Sequence, residues 1–466
     1  MVLVLVAAAA AYQFDLGSRW FGNEPPPSPI TEPDKVLPPA GLSLPAARPA
    51  AAVAPETKDR AVSGAAGRRV LDPMIRSKKL GKHGVVDVAQ ASDDSVVYRH
   101  GVGPVMPAST MKLLTTTAAM EKLGPQHRFV TTVVGTPSSP RIVLVGGGDP
   151  LLASSPRTAR ASYPVRADVA TLAKQTAKAL RAAGRAKVRL GYDASLFTGP
   201  RVNPHWEPSY IPDNVISPVT ALWVDEGRRT GSSYRSADPA AAAAQVFRDA
   251  LQHRGIKVVG ATRAVKAPGA AAGGQPLATV RSAPLAQIVQ HVLEVSDNEG
   301  AEVIAHQVGV ATGKGGSFEG GAAGVREVLG SLGIDTTNDR IYDGSGLSRH
   351  DRLSPETLLS VLEAASSADH PHLRPVIANL PVAGFSGSLK YRFDKGDPSG
   401  LGTVRAKTGT LSGVHGLAGT ATSKDGAVMV FVAIADRVKM RNTLDARQLV
   451  DRMAGALGGC TCAATP

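Results

Sequence analysis

Two β-rich runs near the start of the folded body and three at its end are separated by about 300 residues, and this separation constrains the fold more than any other feature. The first pair lies in "GVVDVAQASDDSVVYRHG" (84–101), where the turn residues "SDD" between apolar runs predict a hairpin. The last three are "GTVRAKTGT" (402–410), "GVHGLAGTATSKDG" (413–426) and "AVMVFVAIAD" (427–436), with "SKDG" as a turn. Strands of such length do not stand alone in water; they must pair to bury a face. The economical solution is one antiparallel five-stranded sheet flanked by helices, with everything between accommodated as helices and a looped-out domain. A closing amphipathic helix carries Leu449, Val450, Met453 and Leu457.

The intervening chain changes texture twice. From about 127 to 282 it reads as helix-strand units: "RIVLVGGGDPLL" is a strand and a Gly-rich turn, and "VATLAKQTAKALRAAGRAKVRLGYD" is a helix, a Gly stop and a strand. The last pattern returns in "AAAAAQVFRDALQHRGIKVVG", a weak internal repeat. After 283 helices resume, two of them flanking "SDN". The reading is an α+β protein with a discontinuous domain of residues 69–126 and 283–466 and an inserted α+β domain of residues 127–282. A length of 466 residues suits two or three domains.

The N-terminus belongs to neither. Residues 2–12 are an apolar run of eleven, short of the roughly 17 to 25 that a spanning helix needs, with no basic residue before it. Ten prolines fall between residues 25 and 55 without helical or strand periodicity. The expectation is a remnant of a signal peptide or membrane anchor at 1–12 and a disordered Pro/Ala-rich linker at 13–68, as on an exported, extracytoplasmic protein with a possible N-terminal membrane tether. A net charge of +13 would suit an anionic partner, but no run of five or six like charges marks a nucleic-acid surface, and none is expected to bind. Two cysteines, Cys460 and Cys462, exclude a disulfide scaffold and a Cys-based zinc site; whether they pair stays open.

Chemistry enters at "PASTMKLLTTTAAMEKLGP" (107–125). Met111, Leu114 and Ala118 share one helical face, and Gly124-Pro125 stops the helix. Ser109 and Lys112, three apart, meet on one face at its N-terminus, where free backbone N–H groups favour a developing oxyanion. A serine becomes a nucleophile only when a base takes its proton, and lysine is that base only when neutral, so its pKa must be depressed. Alone, S-x-x-K is expected about twice by chance in a chain this long, and a helix cap beside a solvent lysine explains it equally well. Ser296-Asp297-Asn298 between two helices and Lys407-Thr408-Gly409 on a strand follow in order. This ordered triplet is an established signature of penicillin-binding proteins and class A β-lactamases.

With "GGGDPLL" (146–152), "YDASLF" (192–197), "DGSGLSR" (343–349) and "GFSGSLKYRF" (384–393), residues 70 to 460 resemble the D-alanyl-D-alanine carboxypeptidase/endopeptidase family of class C, low-molecular-mass penicillin-binding proteins, the S13 peptidases. The resemblance implies a penicillin-binding/β-lactamase-like transpeptidase domain with a large insert between S-x-x-K and S-x-N. It implies a serine-type hydrolase that cuts peptidoglycan stem peptides through a Ser109 acyl-enzyme, takes β-lactams as covalent inhibitors and needs no cofactor or metal. Lys112 would be the base, depressed by burial and by the Lys407 cation, and Ser296 would relay the proton to the leaving amine. Asn298 would hold the peptide, Thr408 and Thr410 beside Gly409 would hold the substrate carboxylate, and the N–H groups of Ser109 and Thr410 would form the oxyanion hole. Asp193, Phe197 and Arg349 would approach the pocket that reads the diamino acid, unless the arginine braces a turn and the phenylalanine is core.

Three other readings compete. A class A β-lactamase would deacylate with a glutamate in E-x-x-L-N, and the chain has no Leu-Asn dipeptide. A non-catalytic penicillin-sensing or wall-binding module would acylate without turnover. A metal hydrolase would centre on His370 and His372, a pair with no third ligand or catalytic glutamate at helical spacing.

Overall fold

A computed structural model describes residues 60–91, 95–136, 139–229, 232–393 and 398–464. The apolar run at 2–12 and most of the expected linker lie outside them. In chain order the elements are helix α1 (Gly64–Ile75), strands β1 (Gly84–Gln90) and β2 (Val96–His100), helix α2 (Met111–Leu123) and strands β3 (Val130–Gly135) and β4 (Arg141–Val145). Helix α3 (Val169–Ala182), β5 (Lys187–Asp193), α4 (Pro239–Gln252), β6 (Lys257–Val258), β7 (Arg263–Ala264) and β8 (Gln275–Arg281) follow. Then come five helices, α5 (Leu285–Glu294), α6 (Asn298–Ala311), α7 (Phe318–Ser331), α8 (Pro355–Ser366) and the short α9 (Arg374–Ala378). Strands β9 (Val404–Leu411), β10 (Val414–Thr422) and β11 (Val428–Ala435) and helix α10 (Thr443–Gly459) close the chain.

The first and last strands form one antiparallel sheet in the order β2-β1-β11-β10-β9. Its two faces read directly from the period of two. Val430, Val432 and Ile434 of β11 point into a core shared with α2, α5, α6, α7 and α8, while Met429, Phe431 and Ala433 point into a second core shared with α1 and α10. Because both faces are covered, β10 is buried from Val414 to Ala421 and its sequence is small and apolar rather than alternating.

The first helix starts ahead of the expected Arg69. Ser63 caps α1 by accepting from Ala66 N, and Val62 pairs with Ala463. The segment "SGAAG" carries no periodic pattern, and the Ser63 cap together with the Val62–Ala463 pairing fixes the helix start. Cys460 and Cys462 are joined as a disulfide at the end of α10.

The second sheet runs β6-β5-β4-β3-β8, with β7 alongside β5. β3 is antiparallel to β4 and β8, whereas β4, β5 and β6 are mutually parallel, and α3 and α4 supply the crossovers that parallel neighbours require. This region is not simply looped out. Trp206, Ile216 and Trp223, on the connection between β5 and α4, bury themselves in the core of the first sheet, beside the helices that carry the motifs.

Candidate active site

Helix α2 departs from the expected one-sided amphipathic pattern: every residue from Met111 to Met120 is buried. A helix enclosed on all sides must satisfy its polar side chains internally. Thr116 Oγ1 donates to Lys112 O at 2.6 Å and Thr115 Oγ1 to Gly344 O at 2.7 Å. Ser109 sits two residues ahead of the helix proper, in the 3-10 turn Ala108–Thr110, and is partly open to solvent.

That turn is held by close backbone approaches. Ala108 has φ +46°, a conformation costly to a residue with a Cβ. Two glycines make room for it. A Cβ on Gly346, at φ +79°, would lie 1.8 Å from Ala108 O, and one on Gly409 of β9 would lie 2.7 Å from Pro107 O. The edge strand β9 therefore lies against the serine turn because "KTG" ends in a residue without a side chain.

Lys112 Nζ is completely buried and donates to three oxygens: Ser109 Oγ at 3.0 Å, Asn298 Oδ1 at 2.8 Å and Ser345 O at 2.8 Å. Burial lowers its pKa from the usual 10.5 to about 8, against the nearby carboxylates Asp343, Glu302, Asp297 and Glu299, which pull it upward. The depression expected from the Lys407 cation is thus not what acts on Lys112. The repulsion between the two ammonium groups falls on Lys407, where burial first, then Lys112 and Arg392, hold the pKa well below the lysine range.

Lys407 Nζ donates to Ser296 Oγ at 2.8 Å and to Thr408 O at 3.1 Å, and Thr408 Oγ1 donates to Ser388 Oγ at 3.1 Å. Ser296 has φ +59°, so both motif serines stand on or beside left-handed backbone. Thr410 lies partly exposed on β9, opposite His415 of β10. Ser109, Lys112, Ser296, Asn298 and Lys407 are thereby linked in two hydrogen-bonded groups, with Thr408 and Gly409 on the adjoining strand.

Asp193, Phe197 and Arg349 are not gathered by one cavity. Asp193 and Phe197 line a recess of about 400 Å³ with Tyr192, Thr220, Lys266 and His306. Within it Asp193 accepts from Ser195 N at 2.8 Å and Ala267 N at 2.7 Å; burial would raise its pKa, but these bonds hold it below the usual carboxylate value. Phe197 packs against His306 with ring centroids 4.9 Å apart and the ring planes tilted by 43°. Arg349 instead donates to Ser412 O at 2.7 Å, at the turn between β9 and β10, and faces Glu207 at 3.8 Å.

Several site residues escaped sequence reasoning. Ser345 O is a ligand of the Lys112 amine, and the buried Glu302 orients it by accepting from Ser345 N at 2.8 Å and Gly344 N at 3.0 Å. Asp343 pins the same loop, accepting from Gly346 N and Ser348 N at 2.7 Å and from Trp206 Nε1 at 2.7 Å. Behind Asn298, Glu299 is buried against Arg235, 2.6 Å away, with Arg235 reaching in from the connection between β5 and α4. The residues of "DGSG" were visible as a motif, but that they bind the lysine was not. The His370/His372 pair also needs correction: Glu121, 251 positions from His372, reaches it at 2.6 Å and supplies the third potential ligand. Sequence spacing is blind to that distance.

The model of the D-Ala-D-Ala carboxypeptidase 3 (S13) family matches residues 68–232 and 228–457. Carboxypeptidase DacB of Mycolicibacterium smegmatis is 33% identical over 473 residues, covering 100% of this chain and 96% of the relative. A D-alanyl-D-alanine carboxypeptidase of Actinomadura sp. R39 is 28% identical over 424 residues, covering 74% and 76% respectively. The crystal structure of penicillin binding protein 4 from Haemophilus influenzae superposes with a TM-score of 0.67 at 22% identity, over 81% of this chain and 97% of that one, which establishes a shared fold.

Proposed function

The chain belongs to the D-Ala-D-Ala carboxypeptidase 3 (S13) family, and on that premise we propose a serine acyl-transfer mechanism with Ser109 as nucleophile and Lys112 as its base. The enzyme is a serine-type D-Ala-D-Ala carboxypeptidase and/or D,D-endopeptidase, a hydrolase of peptidoglycan peptides. The observation that carries the mechanism is the three-fold environment of Lys112 Nζ. In the neutral amine only two N–H bonds remain, and two of the three partners, the Asn298 and Ser345 oxygens, can only accept. They take both protons, so the lone pair is left facing Ser109 Oγ, which then donates. The neighbours thus orient the base as well as bury it.

From this arrangement the steps follow. Lys112 takes the Ser109 proton as Oγ attacks the carbonyl between the two D-alanines, and the N–H groups of Ser109 and Thr410 receive the oxyanion. Ser296, hydrogen-bonded to Lys407, relays the proton that Lys112 took from Ser109 on to the leaving amine, the C–N bond breaks to free D-alanine or, from a cross-link, the second peptide, and Lys112 is neutral again. Thr408 and Thr410, beside Lys407, hold the terminal carboxylate, and Asn298, whose Nδ2 lies 3.4 Å from Val215 O, holds the peptide. Water then attacks the ester, Lys112 accepts its proton and returns it to Ser109 Oγ as the ester C–O bond breaks, which restores both groups. A β-lactam follows the same first step and stays as the acyl-enzyme.

The inserted region, residues 127–282, supports the site through its contacts at Trp206 and Arg235, and we assign the recess of Asp193 and Phe197 to the stem-peptide side chain. The substrate lies outside the cytoplasm, and the enzyme works there; a tether through residues 2–12 would keep it near the membrane. Among the described residues no helix is long and apolar enough to cross one.

The test is free D-alanine release from a wall pentapeptide, and scission of cross-linked dimers, by the wild type and by Ser109→Ala. Products from either substrate that vanish in the variant support the hydrolase and rank its two bonds. Covalent penicillin labelling without product from either would redirect the reading to a sensor.

A further inference from the structure

The His-Pro-His segment plays no part in this mechanism, and its surroundings suggest another. Glu121 lies near the C-terminal end of α2, and His370 and His372 flank Pro371 in the 3-10 turn Pro371–Leu373 that joins α8 to α9. One ligand atom from each of the three lies within 4.8 Å of the other two. The turn is anchored from below by Leu373, which is fully buried, so the histidine backbone is fixed while all three side chains stay partly open to solvent.

We propose that Glu121, His370 and His372 bind a zinc ion that clips the end of helix α2 to the turn between α8 and α9. Two imidazoles and one carboxylate are a zinc donor set, and the site's accessibility leaves the fourth position to water. Tetrahedral zinc with bonds of about 2.0 to 2.1 Å places its ligand atoms roughly 3.3 Å apart. The present contacts bracket that value: the three ligand atoms lie within 4.8 Å of one another, and His372 Nε2 and Glu121 Oε2, now 2.6 Å apart, move outward as the metal replaces the proton between them.

Among the described residues one other carboxylate and histidine grouping has such spacing, Glu226 with His291 and Asp297. It is a poor cation site, because Arg166 and Arg228 already stand 3.2 and 3.0 Å from Glu226 and supply the positive charge. No arginine or lysine pairs with Glu121 among the described ion pairs; its partner there is His372.

The zinc would be structural. Ten residues of helix separate Glu121 from Met111, about 15 Å along the axis, which puts the metal at the far end of α2 from Ser109. No step of acyl transfer reaches it, so its effect falls on the stability of the helix that carries the nucleophile.

The test uses the full chain, stripped with chelator and dialysed against micromolar zinc chloride, with metal counted per chain and melting followed with and without zinc. Wild type should retain one zinc more than Glu121→Gln or the double variant His370→Ala/His372→Ala, with at least tenfold weaker affinity in either. Zinc should raise the melting temperature of wild type by several degrees and leave the variants where they are. Penicillin labelling of each protein reports that the fold is intact and should be equal in all, which separates this proposal from the acyl-transfer reading. Equal zinc in wild type and variants, or none retained by wild type, would overturn it.

Discussion

Raising the pH from 6 to 10 should switch Lys112 from spectator to base, and the shape of the response measures how the fold has tuned it. The fall in pKa from 10.5 to about 8 represents about 3 kcal/mol of preference for the neutral amine, set by complete burial and partly opposed by the surrounding carboxylates. Because the neutral form lies above the pKa, the active fraction rises with pH. It is about 9% at pH 7, half at pH 8 and about 90% at pH 9 for a pKa near 8. The second-order rate of acylation by a fluorescent penicillin should therefore climb about tenfold between pH 7 and 9 and then level. A lysine at its ordinary 10.5 would start near 0.03% neutral at pH 7 and climb about 100-fold over the same interval without levelling. Stopped-flow labelling distinguishes the two. A profile flat from pH 6 to 9, or one that keeps unit slope beyond pH 9, would refute the assignment of Lys112 as the tuned base.

Ser109→Ala and Lys112→Ala should each reduce penicillin labelling by at least about a thousandfold while leaving a cooperative thermal transition, and full labelling of the lysine variant would exclude it as base. Gly346→Ala brings a Cβ to within 1.8 Å of Ala108 O at a left-handed position; we expect a loss of about 2 to 4 kcal/mol in urea unfolding and at least tenfold slower acylation. Arg235→Met strands the buried Glu299 behind Asn298, with an expected cost of about 3 to 5 kcal/mol, and adding Glu299→Gln should recover most of it. A single-variant loss under 1 kcal/mol would mean that the pair does not brace the catalytic loop.

Much of this protein could be read from local sequence because its rules act over short distances. The unbroken apolar run in "AVMVFVAIAD" fits a strand buried on both faces, and the Gly124-Pro125 stop ended α2 at Leu123. Ser109 and Lys112 meet because three residues make most of a helical turn. The three motifs in order, together with the four further segments, were enough to place the family. What local pattern did not contain is how segments hundreds of positions apart meet. Ser345 and Glu302 hold the amine, Arg235 crosses from the inserted region to Glu299, Gly346 and Gly409 admit the strained turn, and Glu121 joins two distant histidines. The lysine itself shows the division most clearly. Its presence at the third position after the serine is a property of the sequence, but its pKa depends on how much water the assembled fold removes, and desolvation exists only once the distant walls have closed around it.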